Sequence, residues 1–214
     1  MGGISKLEIL FVRHGESEAN ILDLMYGSSN YKLTKVGKKQ ARSAGKIIRN
    51  MKFNPDRIYV SSLVRTHETL ENMGFNLEDA LMDDRLDERH LGDLEGLNYK
   101  VLYKEQPELF EEWNRNWLDY KPGGGESHSD FQKRIESFLS DIRKNHKNGD
   151  RVLVVCHGGT MKTIFSHIFN HETDSFFSIE IYNCSIMRLK RIEEKFVFDA
   201  LYNIEDVCTE GGAE

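Results

Sequence analysis

Cysteine and proline are both scarce, with three of each in 214 residues. The thiols Cys156, Cys184 and Cys208 are an odd number, and the chain opens without a secretory leader. A disulfide framework is therefore not expected, and free thiols in a reducing, cytoplasmic setting are. No apolar run approaches the roughly 20 residues of a membrane span, so a soluble protein without membrane attachment is expected. The opening Met1-Gly2-Gly3-Ile4-Ser5-Lys6 fails the myristoylation pattern at Lys6, and Cys208 stands too far from the end for prenylation. A basic excess is also missing: 29 Lys and Arg face 35 acids, a net charge of −6. Extended nucleic-acid binding would need a basic face, which this balance argues against. An anionic ligand must instead find a local basic pocket in an acidic protein. Internal repeats and linkers are lacking too. The 39% apolar and 30% charged content suits one globular domain over 1–208, with Thr209 to Glu214 as a frayed tail.

Two short apolar runs stand out against this background. Leu7 to Val12 leads into Arg13-His14-Gly15-Glu16, and Val152 to Cys156 leads into His157-Gly158-Gly159-Thr160. Each reads as a buried strand ending in histidine and glycine before a helix. Parallel strands of this kind would bring both rings to the carboxyl edge of one sheet, where ligands of open α/β sheets gather. Arginine offers a planar fork of donors to a phosphoryl group, glycine permits close backbone approach, and a helix N-terminus favours an anion. Zinc fits the pair poorly, because Arg13 would stand beside the ion and no Cys or carboxylate lies at ligand spacing. Gly123-Gly124-Gly125 is a flexible break, since it lacks the apolar strand and the Lys-Ser/Thr of a phosphate loop.

The remaining pattern alternates strands and helices. Thr34 caps a helix running to about Met51, Arg57 to Ser61 is a short strand, Ser62 to Met73 a helix and Leu81-Met82 a brief strand. Pro107 to Trp117 is helical, with Leu109, Phe110, Trp113 and Trp117 as core or covering residues. Ser129 or Asp130 caps an amphipathic helix carrying Phe131, Ile135, Phe138, Leu139 and Ile142. Thr160 to Phe169 is the next helix. Ile179 to Leu189 and Phe196 to Leu201 are strands joined by a charged turn, Lys190 to Lys195. This hairpin is either a sheet edge or the surface of a homodimer. The order predicts an α/β three-layer sandwich with a mostly parallel central sheet flanked by helices. His67, His128 and His146 lack a catalytic setting and are expected at the surface. His167 and His171 have metal-ligand spacing, but no carboxylate is aimed at them in the sequence, and solvent is the expected environment.

Leu10-Phe-Val-Arg-His-Gly-Glu-Ser-Glu-Ala-Asn20 resembles the signature of the histidine phosphatase superfamily, also called phosphoglycerate mutase-like. The resemblance continues through Leu33-Thr34, Gly37, Gln40-Ala41, Ser61 to Thr66, Leu86 to Gly96, Pro122 to Ser127 with Asp130 and Arg134, and Val155 to Gly158. It spans roughly residues 7–165 in family order. It implies that His14 is the nucleophile of a phosphohistidine mechanism. Arg13, Asn20, Arg65 and a protonated His157 would surround the phosphoryl oxygens, and Glu88 would be the general acid and base. It further implies weaker substrate contacts from Ser17, Gly27, Arg115 and Gly158, although Ser17 equally suits a helix cap. No metal or cofactor is expected, and the expected partner is a small phosphorylated metabolite.

The stretch from Glu88 to Asn98 is similar to the cofactor-dependent phosphoglycerate mutases, with departures. Leu91 stands where they carry Tyr, Tyr99 where they carry Lys, Trp113-Asn114-Arg115 replaces a tryptophan followed by paired arginines, and Gly159 replaces Asn. Gly159 and the Pro122 to Ser127 block look more like the phosphatase branches. A metal-independent phosphomonoester phosphatase is the expected activity, with mutase as the alternative and an inactive binding module a distant third. Residues 99–126 are expected to cover the substrate and set specificity.

Overall fold

The computed structural model describes residues 6–171 and 173–204. Cys208 and the expected tail at 209–214 lie outside the described residues. Six strands form one sheet in the order β3-β2-β4-β1-β5-β6: β1 (Glu8–Arg13), β2 (Arg57–Val60), β3 (Ala80–Met82), β4 (Arg151–Cys156), β5 (Ile186–Ile192) and β6 (Lys195–Tyr202). The first four in chain order pair in parallel, while β5 and β6 add an antiparallel hairpin at one edge. Strands β1 and β4 are apolar at almost every position because both of their faces are covered.

Alternation along these strands divides the core in two. Ile9, Phe11, Val152, Val154 and Cys156 face a cluster with Phe131, Phe138 and Ile164. Leu10, Val12, Leu153 and Val155 face the other side, with Ala41, Ile48 and Leu70. The first set packs beneath α6 (His128–Asn145) and α7 (Gly158–Ile168), the second beneath α2 (Lys35–Asn50) and α3 (Val64–Asn72). The result is the expected three-layer α/β sandwich.

A third, smaller cluster lies over the carboxyl edge of the sheet. Helices α4 (Tyr99–Glu105) and α5 (Pro107–Arg115) bring Leu102, Phe110 and Trp113 against Met25 and Leu94. Two short helices complete the list, α1 (Glu18–Ile21) and α8 (Thr173–Phe177).

Several boundaries differ from those read in the sequence. Ser127, not Ser129 or Asp130, caps α6: its Oγ accepts from the Asp130 amide at 3.0 Å, and Asp130 returns a bond to the Ser127 amide. The first strand of the C-terminal hairpin does not begin at Ile179. A turn intervenes, in which the Ser185 amide donates to the Tyr182 carbonyl and Cys184 adopts φ +60°, and β5 starts only at Ile186. The charged turn shrinks to Glu193-Glu194, because Lys190 to Ile192 and Lys195 all pair across the hairpin. His128 and His146 are buried instead of exposed. Both have apolar ring neighbours: His128 packs on Phe131 and Phe176, and His146 on Tyr59. His67 is half-buried and bonds the Ser61 carbonyl at 2.9 Å.

Candidate active site

The registers of β1 and β4 pair Arg13 with Cys156, so the two histidines that follow leave the sheet side by side. The His14 amide donates to the Cys156 carbonyl, and the His14 and His157 ring centroids are 5.3 Å apart. Both rings are almost wholly buried.

The His14 tautomer follows from its neighbour. Nδ1 lies 2.7 Å from the Gly15 carbonyl, which can only accept, so Nδ1 carries the hydrogen and Nε2 keeps a lone pair. Burial first, then the charges of Arg65 and Arg13, hold its pKa well below the ordinary 6.5. The ring is therefore neutral at neutral pH, with a lone pair on Nε2.

His157 departs from the expectation of a protonated phosphate ligand. Arg65 Nε donates to its Nδ1 at 3.1 Å. Its Nε2 lies 2.7 Å from Ser61 Oγ, whose own hydrogen goes to Asp87 Oδ1 at 2.6 Å, so Nε2–H donates to Ser61. Burial and the nearby Arg65 push its pKa far down. A neutral ring with both nitrogens engaged positions Arg65; it does not bring a positive charge.

Arg65 is fully buried, and its Nη1 and Nη2 donate to the Ser29 and Gly27 carbonyls at 2.8 and 2.6 Å. Its charge thus lies fixed beneath His14, and Tyr26 stacks against it 5.0 Å away. Gly27 holds Arg65 and does not line the cavity, which corrects its expected substrate contact. A Cβ there would lie 1.8 Å from the Arg89 carbonyl, so no other residue fits without moving the backbone. Ser17 is likewise a positioning residue: fully buried at the start of α1, it donates from N and Oγ to Asn20 Oδ1. The helix-cap alternative is the one the structure shows. Asn20 itself faces the cavity, with Nδ2 donating to Tyr26 Oη at 2.7 Å. Arg115 is exposed near the end of α5 and does not reach the site.

Arg13 anchors through Nη1 to the Ile181 carbonyl at 2.6 Å, while its Nε is buried without a hydrogen-bond partner among the described residues. A buried donor of a charged group without an acceptor is costly, and an arriving anion relieves that cost. Gly158 and Gly159 open α7 beside it, adding the helix N-terminus to the same cavity wall.

Glu88 reaches the same cavity as His14 from the loop after β3. Its Oε2 accepts from the Gly159 amide at 2.7 Å and Oε1 from the Arg89 amide at 3.0 Å. Arg134 on α6 staples that loop by donating to the Asp87 carbonyl at 2.6 Å and the Glu88 carbonyl at 3.0 Å. A Cβ at Gly159 would stand 2.3 Å from Glu88 Oε1, the movable end of a side chain. Gly159→Ala should therefore keep the fold and swing the carboxylate away. The expected result is a melting temperature within a few degrees of the parent and turnover of alkyl phosphates lowered about 10- to 100-fold. Unchanged turnover would show that the Glu88 position is immaterial.

A cavity of about 570 Å³ is lined by Arg13, His14, Asn20, Glu88, Gly158 and Gly159, while the buried Arg65 and His157 do not line it. Beyond His14 its wall turns apolar, with Leu91, Trp113, Trp117, Phe131 and Phe176. Two cations on rings interrupt it: Arg89 lies 5.4 Å from the centroids of both Trp113 and Trp117, and Lys162 Nζ 5.6 Å from that of Phe176. Burial lowers the pKa of Lys162.

A family model for the histidine phosphatase superfamily (branch 1) matches residues 9–204. The chain belongs to that superfamily. Among its curated relatives is the metal-independent phosphoserine phosphatase of Arabidopsis thaliana, 31% identical over 95% of this chain and 84% of the relative. The 2,3-bisphosphoglycerate-dependent phosphoglycerate mutase of Methylorubrum extorquens is also 31% identical, over 89% and 95%. Among solved structures, the alpha-ribazole phosphatase of Shigella flexneri superposes with a TM-score of 0.79 over 91% of this chain and 95% of that one. At 21% identity that likeness concerns the fold.

Sequence reasoning for this histidine phosphatase superfamily member overlooked Tyr26, Arg89 and Lys162, which line the cavity, and Ser61, Asp87 and Arg134, which hold its parts. Ser61, Asp87 and Arg134 stood inside the family-like blocks, but only their partners give them roles. Lys162, one turn and a half after His157 on α7, carried no signal beyond an ordinary helix lysine.

Proposed function

We propose that the protein is a phosphomonoester phosphatase working through a phosphohistidine on His14, without a metal in the chemistry. The observation that carries this is the His14 tautomer. A neutral ring with a lone pair on Nε2 lines the same cavity as Glu88 and Arg13, whose Nε has no hydrogen-bond partner among the described residues. In the first step Nε2 bonds to phosphorus as the ester P–O bond breaks, and the Glu88 carboxylic acid gives its proton to the departing oxygen. In the second, the Glu88 carboxylate takes a proton from water as the water oxygen attacks phosphorus and the P–N bond breaks. Phosphate leaves, and His14 and protonated Glu88 are restored. Arg13, Arg65, Asn20 and the α7 N-terminus offset charge on the phosphoryl oxygens throughout.

The apolar wall supports an organic group that is apolar or aromatic over a small polar one. Burying one ring contributes about 1.5–3 kcal/mol, or about 10- to 100-fold in affinity. In EDTA, 1-naphthyl phosphate should therefore exceed 3-phosphoglycerate at least tenfold in kcat/KM. The reverse ranking would remove this specificity.

Mutase activity is the second reading, supported by the mutase relatives and by the two additional cations, Arg89 and Lys162, on the cavity wall. Phosphate release from a panel of phosphomonoesters, assayed beside 2-phosphoglycerate formation from 3-phosphoglycerate with 2,3-bisphosphoglycerate present, separates the two. Release without isomer formation supports the phosphatase. Isomer formation without net release replaces it by the mutase.

A further inference from the structure

At the end of α7 remote from His157, three side chains converge with more lone pairs than hydrogens can serve. His167 stands in the last turn of α7, and the chain leaves that helix through Asn170 and His171, both in left-handed conformation at φ 58° and 60°. That reversal folds the His171 ring back onto its neighbour. His167 Nδ1 lies 3.0 Å from His171 Nε2, and Glu136 on α6 brings Oε1 to 2.6 Å from the same Nε2. The earlier expectation that no carboxylate is aimed at these histidines is thus corrected: α6, distant in sequence, supplies one. All three ligand atoms lie within 4.8 Å of one another, and all three residues are half-buried.

A ring nitrogen has one in-plane position, filled by either a hydrogen or a lone pair. With a hydrogen on His171 Nε2, a straight bond can form to Glu136 or to His167, not to both. Without it, a lone pair faces a carboxylate. The far nitrogen does not help, because His171 Nδ1 is buried with no partner among the described residues. A cation at the centre removes the conflict by accepting all three lone pairs.

We propose that Glu136, His167 and His171 bind a divalent transition metal of the zinc class, with a fourth position open to water, pinning α6 to the turn after α7. Two imidazoles and one carboxylate are a donor set that zinc accepts at about 2.0–2.2 Å in a tetrahedron. Ligand atoms in such a tetrahedron stand about 3.3–3.6 Å apart, so the two ring nitrogens would separate by a few tenths of an ångström and His171 Nε2 and Glu136 Oε1 by about 0.7–1 Å. Arg143, two turns along α6 from Glu136, carries a charge felt at His167 and weakens the site without closing it. The 11 residues of α7 place the metal about 16 Å from His157, so its effect is on stability and not on phosphoryl transfer.

The test begins with the full chain stripped by EDTA and then dialysed free of it. Calorimetric titration with ZnCl₂ should show one equivalent bound and a concentration-dependent rise in melting temperature. Co²⁺ in its place should give the visible absorption of a four-coordinate ion. His171→Ala and Glu136→Gln, tested separately, should each weaken Zn²⁺ binding at least tenfold. Neither should change metal-free phosphate release from p-nitrophenyl phosphate. Absence of Zn²⁺ binding to the parent would overturn the site, as would equal binding by both variants, which would place the ion elsewhere.

Discussion

His14→Ala is expected to lower phosphate release by about 10⁴-fold or more, the scale seen when a covalent nucleophile is removed. The loss should be chemical and not structural. The backbone at this position keeps its bonds: the amide to the Cys156 carbonyl, and the carbonyl from the Cys184 amide and Asn183 Nδ2. The ring contacts with Tyr26 and His157 and the Nδ1–H bond to the Gly15 carbonyl go, and the space left opens onto a cavity that already exists. The variant should melt within a few degrees of the parent and still bind vanadate, since Arg13, Asn20 and Arg65 remain. The stability of the phosphoryl linkage adds a direct readout, because a phosphohistidine is acid-labile and base-stable. The parent, quenched during turnover, should carry base-stable phosphate on a peptide containing residue 14, and the variant none. Turnover within tenfold of the parent, or a phosphopeptide mapping elsewhere, would end the claim that His14 is the nucleophile.

Glu88→Gln should separate esters by their leaving groups. The amide keeps one oxygen to accept from the Gly159 or the Arg89 backbone, so the loop stays where Arg134 holds it. It has no proton to deliver. An alkyl phosphate, whose alkoxide leaves poorly, should slow about 10²- to 10⁴-fold, while p-nitrophenyl phosphate should slow far less in its first step. Pre-steady-state kinetics on p-nitrophenyl phosphate sharpen the contrast: release of p-nitrophenol in a burst, followed by slow hydrolysis, is expected when water also loses its base. Equal losses on both esters, with no burst, would make Glu88 a structural carboxylate.

The parts of this molecule that a single chain segment encodes were legible in the sequence. Residues 7–12 and 152–156 read as strands because both faces are covered, and the helix from Thr34 because its cap and stripe are local. The meeting of His14 and His157 followed from topology alone. What escaped is whatever depends on a partner remote in the chain. His157 is neutral because it is buried and Arg65 donates to it, and no pattern near residue 157 reveals that. Ser17 turned inward because Asn20 accepts from it, at a position where cap and ligand contact look alike. Glu136 meets His171 across two helices, and left-handed residues at 170 and 171 make the meeting possible. Arg115 was overvalued as a cation in the covering segment, yet the wall is built from Arg89 and Lys162, which rest on its aromatic rings.

The pairing of β1 with β4 also sets the order in which the molecule can come to life. His14 and His157 become neighbours only when two strands about 140 residues apart in the chain align, with β2 docked on the far side of β4. Closing so long a loop costs entropy before any local contact repays it, which places this step among the slow ones of assembly. On a ribosome, the first histidine emerges and waits while most of the domain is still unmade. Recovery of catalysis during refolding would thus act as a clock for that single long-range alignment, running behind probes of the helices.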